Sequence, residues 1–374
     1  FKTGKEQEIK PAVATYLKIK GGTAATEFCA SRLQEYYEQD DTDYLNVAFM
    51  SSYTSDTLAP YLVVSEFLSD RPIRFQSFPY HQWHADLTSG VNIDTFKPDV
   101  IFLSLLLEDI APLLARQHLA ERKNLTEETD TVFAALHSAI SAYRSRHDTP
   151  IVLSSFIPSS RGVERHFDWK VSPSRQQIVN DMNSRLAELS TLYNNIYVFD
   201  YAATVTDFGR SNWYDISKGY HVQTPISSRA LPYLSQELTS FLSALLEPRK
   251  KVLAVDADNT LWGGILGEDD IDGVQHTGPY PGNAYADFRA TLANLKSSGI
   301  ALALASKNNM EDMQLAFDAG LTLPLSKSDF AAVEINWTDK SSNLKKIAAD
   351  LNVGLDAVCF ADDSAFECDS VRSQ

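Results

Sequence analysis

The chain has 374 residues, of which 44% are hydrophobic and 22% are charged. These fractions are ordinary for a globular protein and exclude a chain that is disordered, collagen-like or coiled-coil throughout. At roughly 150 residues per domain, the length predicts two or three domains. The net charge of −16 repels nucleic-acid phosphates and anionic membranes, so neither is an expected partner.

The cysteines and the N-terminal residues indicate the compartment. Cys29, Cys359 and Cys368 are too few, and odd in number, for a disulfide framework, which fits a reducing environment. No apolar run approaches the ~20 residues that cross a bilayer, and residues 1–10 lack the apolar segment of a signal peptide. The sequence therefore predicts a cytoplasmic protein. It begins with Phe1 rather than Met, as an excised piece of a longer chain would.

In the N-terminal part of the chain, short β-rich apolar runs alternate with longer helical patterns. This alternation is typical of βαβ units, in which helices cover both faces of a parallel sheet. A charged segment that contains Pro248 follows the last helix and suggests a linker. The predicted strands are 45–51, 73–78, 99–106, 150–156 and 195–200, and the predicted helices are 59–68, 126–145, 175–192 and 235–246.

A second alternating set follows the linker, with strands predicted at 252–256, 300–305 and 357–361 and helices at 284–297, 310–319 and 341–351. We therefore expect an α/β protein of two domains, covering 41–247 and 248–374. Residues 1–40 look helical and amphipathic, which predicts an appendage or docking segment.

The strongest chemical signal is an apolar strand that ends in Asp256-Ala-Asp258-Asn259-Thr260. Ligands of open α/β sheets bind beyond the carboxyl ends of the strands, where both carboxylates would project. Two acids so close repel each other unless a cation holds them or one is protonated, and Mg²⁺ with a phosphate suits such a pair. The alternative is a strand-end aspartate that caps a turn.

Three further strand-end features follow in order. Ser306 ends an apolar strand and can bind a phosphoryl oxygen, although such a serine is more often an N-cap. Lys340 begins a helix, where a lysine opposes the helix dipole, and the alternative is a solvated lysine. Asp362 and Asp363 end a third strand, with turn chemistry as the alternative. The four features in this order favour a catalytic site.

The order Asp-x-Asp-x-Thr, Ser, Lys, Asp-Asp resembles the haloacid-dehalogenase (HAD) phosphotransferase superfamily. More narrowly, the chain resembles the FkbH-like family of glyceryl transferase/phosphatases in polyketide biosynthesis. The segments that carry this resemblance are 258–264, 267–269, 306–308, Asn336-Trp337 with Lys340, and Asp362-Asp363 with Glu367-Cys368. The match covers 251–372. The upstream region resembles that family's N-terminal domain more loosely. The resemblance implies an SGNH-hydrolase-like α/β domain followed by a HAD-like Rossmannoid domain without a large cap.

The resemblance also implies roles for the site residues. Asp256 would be the nucleophile that forms an aspartyl phosphate, and Asp258 the general acid and base. Lys340 would neutralise the phosphoryl oxygens and Ser306 would orient them. Mg²⁺ would be held by Asp256, the backbone carbonyl of Asp258 and the pair Asp362 and Asp363, of which either could be the direct ligand. Further substrate contacts are expected from Asn259, Thr260, Lys307 and Asn308.

The family's implied substrate is 1,3-bisphosphoglycerate. Its glyceryl group moves to the phosphopantetheine thiol of an acyl carrier protein, with loss of the remaining phosphate. The resemblance also allows this chain to be part of a larger polyketide synthase chain. Cys368 matches the family's suspected acyl acceptor. The alternative is a structural role, in which the cysteine is a small buried hydrophobic residue. Two other functions stay open: a Mg²⁺ phosphatase of another small phosphate ester, and a non-catalytic module that keeps the fold.

Between Asp256 and Ser306 the sequence leaves no room for a separate cap domain, and the glycines of 262–267 suit a short hairpin flap. The spacing therefore predicts an open site that could admit a long substrate arm.

The N-terminal domain carries weaker signals. Ser51-Ser52-Tyr53-Thr54 follows a strand and resembles the nucleophile corner of SGNH esterases, but there is no Gly-Asp-Ser and no Asp-x-x-His. The nearest such pair is Asp215 and His221, so a domain without hydrolytic activity is favoured.

Two loops of this domain remain as candidate contacts. One predicted loop contains His81, Trp83 and His84. These residues could either contact a ligand or anchor the loop to the protein surface. The basic segment 160–170 with Arg175 is either a solvated loop or a docking site for an acidic carrier protein.

Overall fold

The structure is a computed structural model that describes residues 6–37, 44–116, 125–158, 165–170 and 172–373. The chain divides into two compact units, Phe1–Leu245 and Leu246–Gln374. Each unit is built on its own parallel sheet, so the protein is of the α/β class. None of the described helices is both long enough and apolar enough to cross a bilayer.

The first unit contains a five-stranded sheet of order β2-β1-β3-β4-β5, in which all neighbouring strands are parallel. Its strands are β1 Leu45–Ser51, β2 Ile73–Ser77, β3 Val100–Ser104, β4 Ile151–Ser154 and β5 Ile196–Phe199. Its helices are α1 Glu6–Lys20, α2 Gly22–Tyr37, α3 Ala59–Leu68, α4 Trp83–Ser89, α5 Ile93–Phe96, α6 Leu107–Ile110, α7 Pro112–Arg116, α8 Leu125–Arg144, α9 Arg175–Leu192, α10 Tyr201–Phe208, α11 Arg210–Trp213, α12 Ile216–Val222 and α13 Leu231–Leu246.

Hydrophobic clusters cover both faces of this sheet, as the continuous apolar strands predict. Within β1, Val47 and Phe49 pack into one cluster, whereas Ala48 and Met50 pack into the other. The period of two along a strand places these alternate side chains on opposite faces.

The two N-terminal helices belong to the core of the first unit. Leu33 in α2 is completely buried, and Ile9 and Val13 in α1 join the cluster that covers one face of the sheet. Cys29 is also buried there, as expected for a core residue. The sequence suggested an appendage over 1–40, but the apolar faces of these helices are packed against α3 and its neighbours.

The second unit contains a four-stranded parallel sheet of order β8-β7-β6-β9. Its strands are β6 Val252–Val255, β7 Ala301–Ser306, β8 Phe330–Ile335 and β9 Val358–Ala361, and its helices are α14 Leu266–Gly273, α15 Gly282–Ser297, α16 Met310–Asp318, α17 Lys340–Asp350 and α18 Ala365–Ser373. The strand β8 was not predicted, because Glu334 interrupts its apolar run and two of its residues are alanines, which are uncommon in strands.

The segment between Asp256 and Ser306, all of which is described, forms turns, α14 and α15 and no separate domain. The predicted hairpin over 262–267 is wrong in its details. Gly263 instead pairs with the more distant Gln275, each donating its N–H to the other's carbonyl at 2.9 and 2.8 Å. The short helix α14 fills the space between these two residues.

Candidate active site

Four side chains, three from strand ends and one from the start of a helix, meet at the carboxyl edge of the second sheet. Asp256 follows β6, Ser306 ends β7 and Asp362 follows β9, while Lys340 is the first residue of α17. Because β6 lies between β7 and β9, the parallel strands carry these residues to the same place. This is the crevice in which open α/β sheets bind their ligands.

Lys340 forms the centre of the site. Its Nζ lies 2.6 Å from Asp256 Oδ1 and 2.5 Å from Asp362 Oδ2, and the lysine side chain is only 4% exposed. Burial lowers the pKa of Lys340, but the charges and hydrogen bonds of the two aspartates outweigh it and raise the pKa above its ordinary value. The lysine is therefore a fixed positive charge between two acids.

The position of Lys340 is set by the cap of α17. The carboxylate of Asp339 accepts hydrogen bonds from Ser341 Oγ at 2.6 Å and from the Ser342 N–H at 2.9 Å. These hydrogen bonds lower the pKa of Asp339 to about 2. An ionised N-cap satisfies the free N–H groups of the first turn, and it offsets the unfavourable placement of a lysine there.

Asp256 is buried, and its pKa is raised mainly by that burial and further by the nearby charge of Asp362. Lys340 and a hydrogen bond with Ser306 act in the opposite direction. Ser306, which is also buried, accepts a hydrogen bond from Asn308 Nδ2 at 3.1 Å. Asp256 is thus oriented by a cation on one side and a hydroxyl on the other.

Asp258 is held by N–H donors. Its Oδ1 accepts from Trp262 Nε1 and from the Leu266 backbone N–H, each at 3.0 Å, and its Oδ2 accepts from Asn308 Nδ2 at 2.9 Å. Three N–H donors thus fix the orientation of this carboxyl group. The amide of Asn308, which is buried, therefore links Asp258 to Ser306.

The two residues after Asp258 form the turn that follows the strand. Asn259 has a φ of +50° and accepts the Gly264 N–H through Oδ1 at 2.9 Å. The side chain of Asn259 thus closes the turn, and its predicted contact with substrate stays a prediction. Thr260 Oγ1 is buried and has no hydrogen-bond partner among the described residues, so its hydroxyl is available to a ligand or water.

Lys307 and Cys368 are connected through α18. Lys307 Nζ lies 2.5 Å from Oε1 of Glu367, the residue before the cysteine. The half-buried Cys368 places its Sγ 3.7 Å from the backbone carbonyl oxygen of Asp362. The thiol therefore lies next to the strand end that carries Asp362, and Lys307 reaches its helix rather than the centre of the site.

Three carboxylates of the site could hold a metal ion. One oxygen from each of Asp256, Asp362 and Asp363 lies within 4.8 Å of the others. Burial first, and then the charges of Asp362 and Asp258, raise the pKa of Asp363, while Lys340 opposes them. Three carboxylates face one ammonium group here, so negative charge is in excess when all three are ionised. Hard oxygen donors with excess negative charge fit Mg²⁺. The side chain of Asp258 stands outside this cluster, and its contribution through the backbone carbonyl stays a prediction.

Arg289 supports the site and was not predicted. It is 2% exposed, and its guanidinium donates to the carbonyls of Leu323 at 2.8 Å and of Leu261 and His276 at 2.5 Å. It thereby fixes the turn that follows Asp258. The available signal is its helical spacing from the buried Leu292, which places Arg289 on the inner face of α15.

The predicted esterase corner of the first unit is occupied by hydrogen bonds within the protein. Ser51 Oγ donates to the Tyr53 carbonyl at 2.6 Å, and Ser52 Oγ donates to Asp109 Oδ2 at 2.8 Å. Asp215 caps α12 by accepting the Lys218 N–H, and His221 is exposed at the other end of that helix.

The remaining predicted contacts of the first unit have mixed outcomes. Trp83 starts α4 and is buried in the core, so it is neither in a loop nor a surface anchor. Arg175 is buried and donates to the Ala115 carbonyl at 3.4 Å, which removes it from the predicted docking segment. Residues 160–164 of that segment lie outside the described residues.

No family model matches the chain, and no curated protein matches it. A solved structure that does match is the crystal structure of the N-terminal part of the protein BF1531 from Bacteroides fragilis, described as containing a phosphatase domain complexed with Mg. The TM-score is 0.78 with 24% identity, over 92% of this chain and 90% of that chain. The two proteins share their fold.

Proposed function

We propose that the second unit is a Mg²⁺-dependent phosphatase of the HAD type that works through an aspartyl phosphate. The observation that carries this proposal is the buried ammonium of Lys340 between Asp256 and Asp362, beside the third carboxylate of Asp363. A site of this kind offers a nucleophile, a cation and an oxygen-lined metal position within a few ångströms. Support also comes from the similar fold of BF1531, whose structure was described as a phosphatase domain with Mg.

Asp256, Asp362 and Asp363 would hold the metal, and Mg²⁺ when bound neutralises phosphoryl oxygens and supports their transfer. Lys340 would supply a further positive charge to those oxygens, and the hydroxyl of Ser306 would orient them. Most of what phosphoryl transfer requires is positioning and charge, and these residues provide both.

The reaction would proceed in two steps. A carboxylate oxygen of Asp256 attacks phosphorus, and the bond from phosphorus to the leaving oxygen breaks with its electron pair staying on that oxygen. An ester oxygen then takes a proton from the acid form of Asp258. In the second step Asp258 takes a proton from water, the hydroxide oxygen attacks phosphorus, and the bond to Asp256 breaks to restore the carboxylate.

The test is phosphate release from a panel of small phosphate esters, with Mg²⁺ and with EDTA. Asp256→Asn should abolish turnover, and Asp258→Asn should lower it by about 10²–10⁴-fold, as for loss of a general acid–base. Asp350→Asn, at the exposed end of α17, is the charge-matched control. Turnover that survives in Asp256→Asn, or that EDTA leaves unchanged, contradicts the proposal.

A second candidate is glyceryl transfer, and the position of Cys368 favours it. Its Sγ lies 3.7 Å from the carbonyl oxygen of Asp362, beside the proposed phosphoryl site. The thiol would lose its proton and attack the acyl carbon of 1,3-bisphosphoglycerate, breaking the carbon–oxygen bond so that phosphate leaves. The glyceryl thioester would pass to the phosphopantetheine thiol of a carrier protein, which returns the cysteine, and the phosphate ester would be removed at Asp256.

This candidate is tested by incubating the chain with Mg²⁺, 1,3-bisphosphoglycerate and holo-carrier protein, and weighing both proteins by mass spectrometry. A glyceryl adduct on the carrier supports transfer, whereas phosphate release without any adduct supports the phosphatase alone. Cys368→Ala should abolish loading, and Cys359→Ala, a half-buried cysteine in β9, is the matched control. Normal loading by Cys368→Ala excludes the thioester relay.

A further inference from the structure

The first unit contains a cavity of about 540 Å³ beyond the carboxyl ends of β1 and β3. Its lining includes Ser52 after β1, and Leu106, Glu108 and Asp109 after β3. In the strand order β2-β1-β3-β4-β5, the chain changes direction across the sheet between β1 and β3. Open α/β sheets bind ligands at such a switch point, and the volume lies within the range of small-molecule sites.

The floor of this cavity is fixed by a buried hydroxyl. Ser52 is 2% exposed, and its Oγ accepts the Leu106 N–H at 2.9 Å while donating to Asp109 Oδ2 at 2.8 Å. The proton of Ser52 is therefore engaged by a carboxylate and not by a histidine base. This arrangement suits a rigid binding site better than an esterase nucleophile.

Two charged groups that line the cavity lack partners. Nε of Arg210 is buried and makes no hydrogen bond, and Glu108 forms no hydrogen bond or ion pair among the described residues. Both charges act on Tyr214, another lining residue, whose pKa is raised to about 12 by burial first and by Glu108 next, with Arg210 opposing. Glu108 and Arg210 thus line the same cavity as Tyr214 without forming an ion pair with each other.

Each simple ion would satisfy only half of this lining. An anion would pair with Arg210 but would meet Glu108, Asp109 and Asp215, which also line the cavity. A cation would pair with Glu108 but would leave the buried N–H of Arg210 without an acceptor, and an unpaired buried donor is unfavourable. A molecule with both charges satisfies both groups.

We propose that this cavity binds a small organic zwitterion, with its ammonium group on Glu108 and its carboxylate on Arg210. Tyr214, which lines the same cavity, would offer the ligand an aromatic surface. The cavity is lined by residues of the first unit, and the proposal does not depend on the function proposed for the second.

The experiment is calorimetric titration of the full chain with ω-amino acids of three to six carbons, each compared with the alkylamine and the carboxylate of the same length. The best-fitting zwitterion should bind at least tenfold more tightly than either matched ion. Glu108→Gln should reduce its affinity to that of the carboxylate, and Arg210→Gln to that of the amine. Asp181→Asn, exposed on α9, should bind as the wild type does.

A second pair of variants guards against misfolding of the first. Glu108→Asp and Arg210→Lys keep each charge on a shorter or differently shaped side chain, so they should shift the preferred ligand length. The proposal is overturned if no zwitterion binds more tightly than its matched ions, or if all four variants bind as the wild type does. It is also overturned if the chain hydrolyses p-nitrophenyl acetate and Ser52→Ala abolishes this activity, because the cavity would then be an esterase site.

Discussion

Replacing Lys340 with methionine should destabilise the second unit strongly when no divalent ion is present. The substitution keeps the length of the side chain but removes the ammonium that lies 2.6 and 2.5 Å from two carboxylates. The side chains of Asp256 and Asp362 are 9% and 1% exposed, so water cannot replace the lost charge. Removing one partner of a buried ion pair costs about 3–5 kcal/mol.

A second lysine on the same helix provides the control. Lys346 Nζ lies 2.7 Å from Glu334 Oε1, and the side chains are 61% and 10% exposed, so only the lysine end of this pair is solvated. Water can reach the glutamate from that side, and Asn336 Nδ2 also donates to Glu334 at 3.2 Å. Lys346→Met should therefore cost closer to the roughly 1 kcal/mol of a solvent-exposed pair than Lys340→Met does. The difference between the two variants isolates the burial of the lysine, because the chemistry of the substitution is the same.

Hydrogen exchange in EDTA measures this difference, since the amides of β6 and β7 report the free energy of opening of the second unit. Adding Asp362→Asn to Lys340→Met removes one of the unpaired charges and should restore about 0.5–3 kcal/mol, the usual range for coupled neighbours. The reasoning is refuted if Lys340→Met lies within 1 kcal/mol of Lys346→Met, or if the double variant is no more stable than the single one.

Three further variants test other parts of the structure. Leu33→Ala should cost about 2–5 kcal/mol of stability because the side chain is fully buried. Ile19 in α1 is 72% exposed, so Ile19→Ala should change stability little. Equal effects of the two substitutions in urea unfolding would contradict a core role for α2. Arg289→Met leaves three carbonyl acceptors unpaired and should cost at least about 3 kcal/mol of stability. It should also lower kcat, and a variant with the kcat of the wild type would contradict a supporting role for Arg289 at the site. Asp329, whose pKa is lowered to about 2 by hydrogen bonds from Lys296 and Ser326, should stabilise the fold by at most about 1 kcal/mol in this partly solvated setting. Its contribution to stability is complete above about pH 4 and is lost as the pH falls through about 2. The difference in unfolding free energy between Asp329→Asn and the wild type should therefore disappear over that range. A difference that stays constant with pH would argue against ionisation of Asp329 as its cause.

Most of the sheet strands could be predicted because buried parallel strands are continuous apolar runs. Runs such as Ala301–Ser306 have no polar residue before their last position, which no surface helix would tolerate. Phe330–Ile335 was not predicted because Glu334 interrupts its apolar run and two of its residues are alanines, so this signal is weak there. The N-terminal helices were predicted as helices, but whether an amphipathic face packs on its own domain or on a partner is not encoded in its periodicity.

The convergence of Asp256, Ser306, Lys340 and Asp362 could be predicted because each follows a strand or begins the next helix, and parallel strands end at one edge. The contacts of Asp258 could not, because Trp262 and Asn308 reach it through the geometry of a turn and a strand end. Arg289 was missed for a related reason: its acceptors are backbone carbonyls, and these leave no trace in residue types. The sequence thus predicts a contact between two charged side chains more readily than a contact between a side chain and a backbone carbonyl.

The geometry of Lys340 has a consequence for which anions the site can hold. An ammonium group carries three N–H bonds, and Asp256 and Asp362 already accept two of them. Only one is left for an incoming oxygen, so this position offers a single donor where an arginine would present a planar fork to two oxygens at once. A planar carboxylate therefore cannot form a bidentate pair with Lys340. A tetrahedral anion is favoured, because its remaining oxygens can accept hydrogen bonds from other donors of the site.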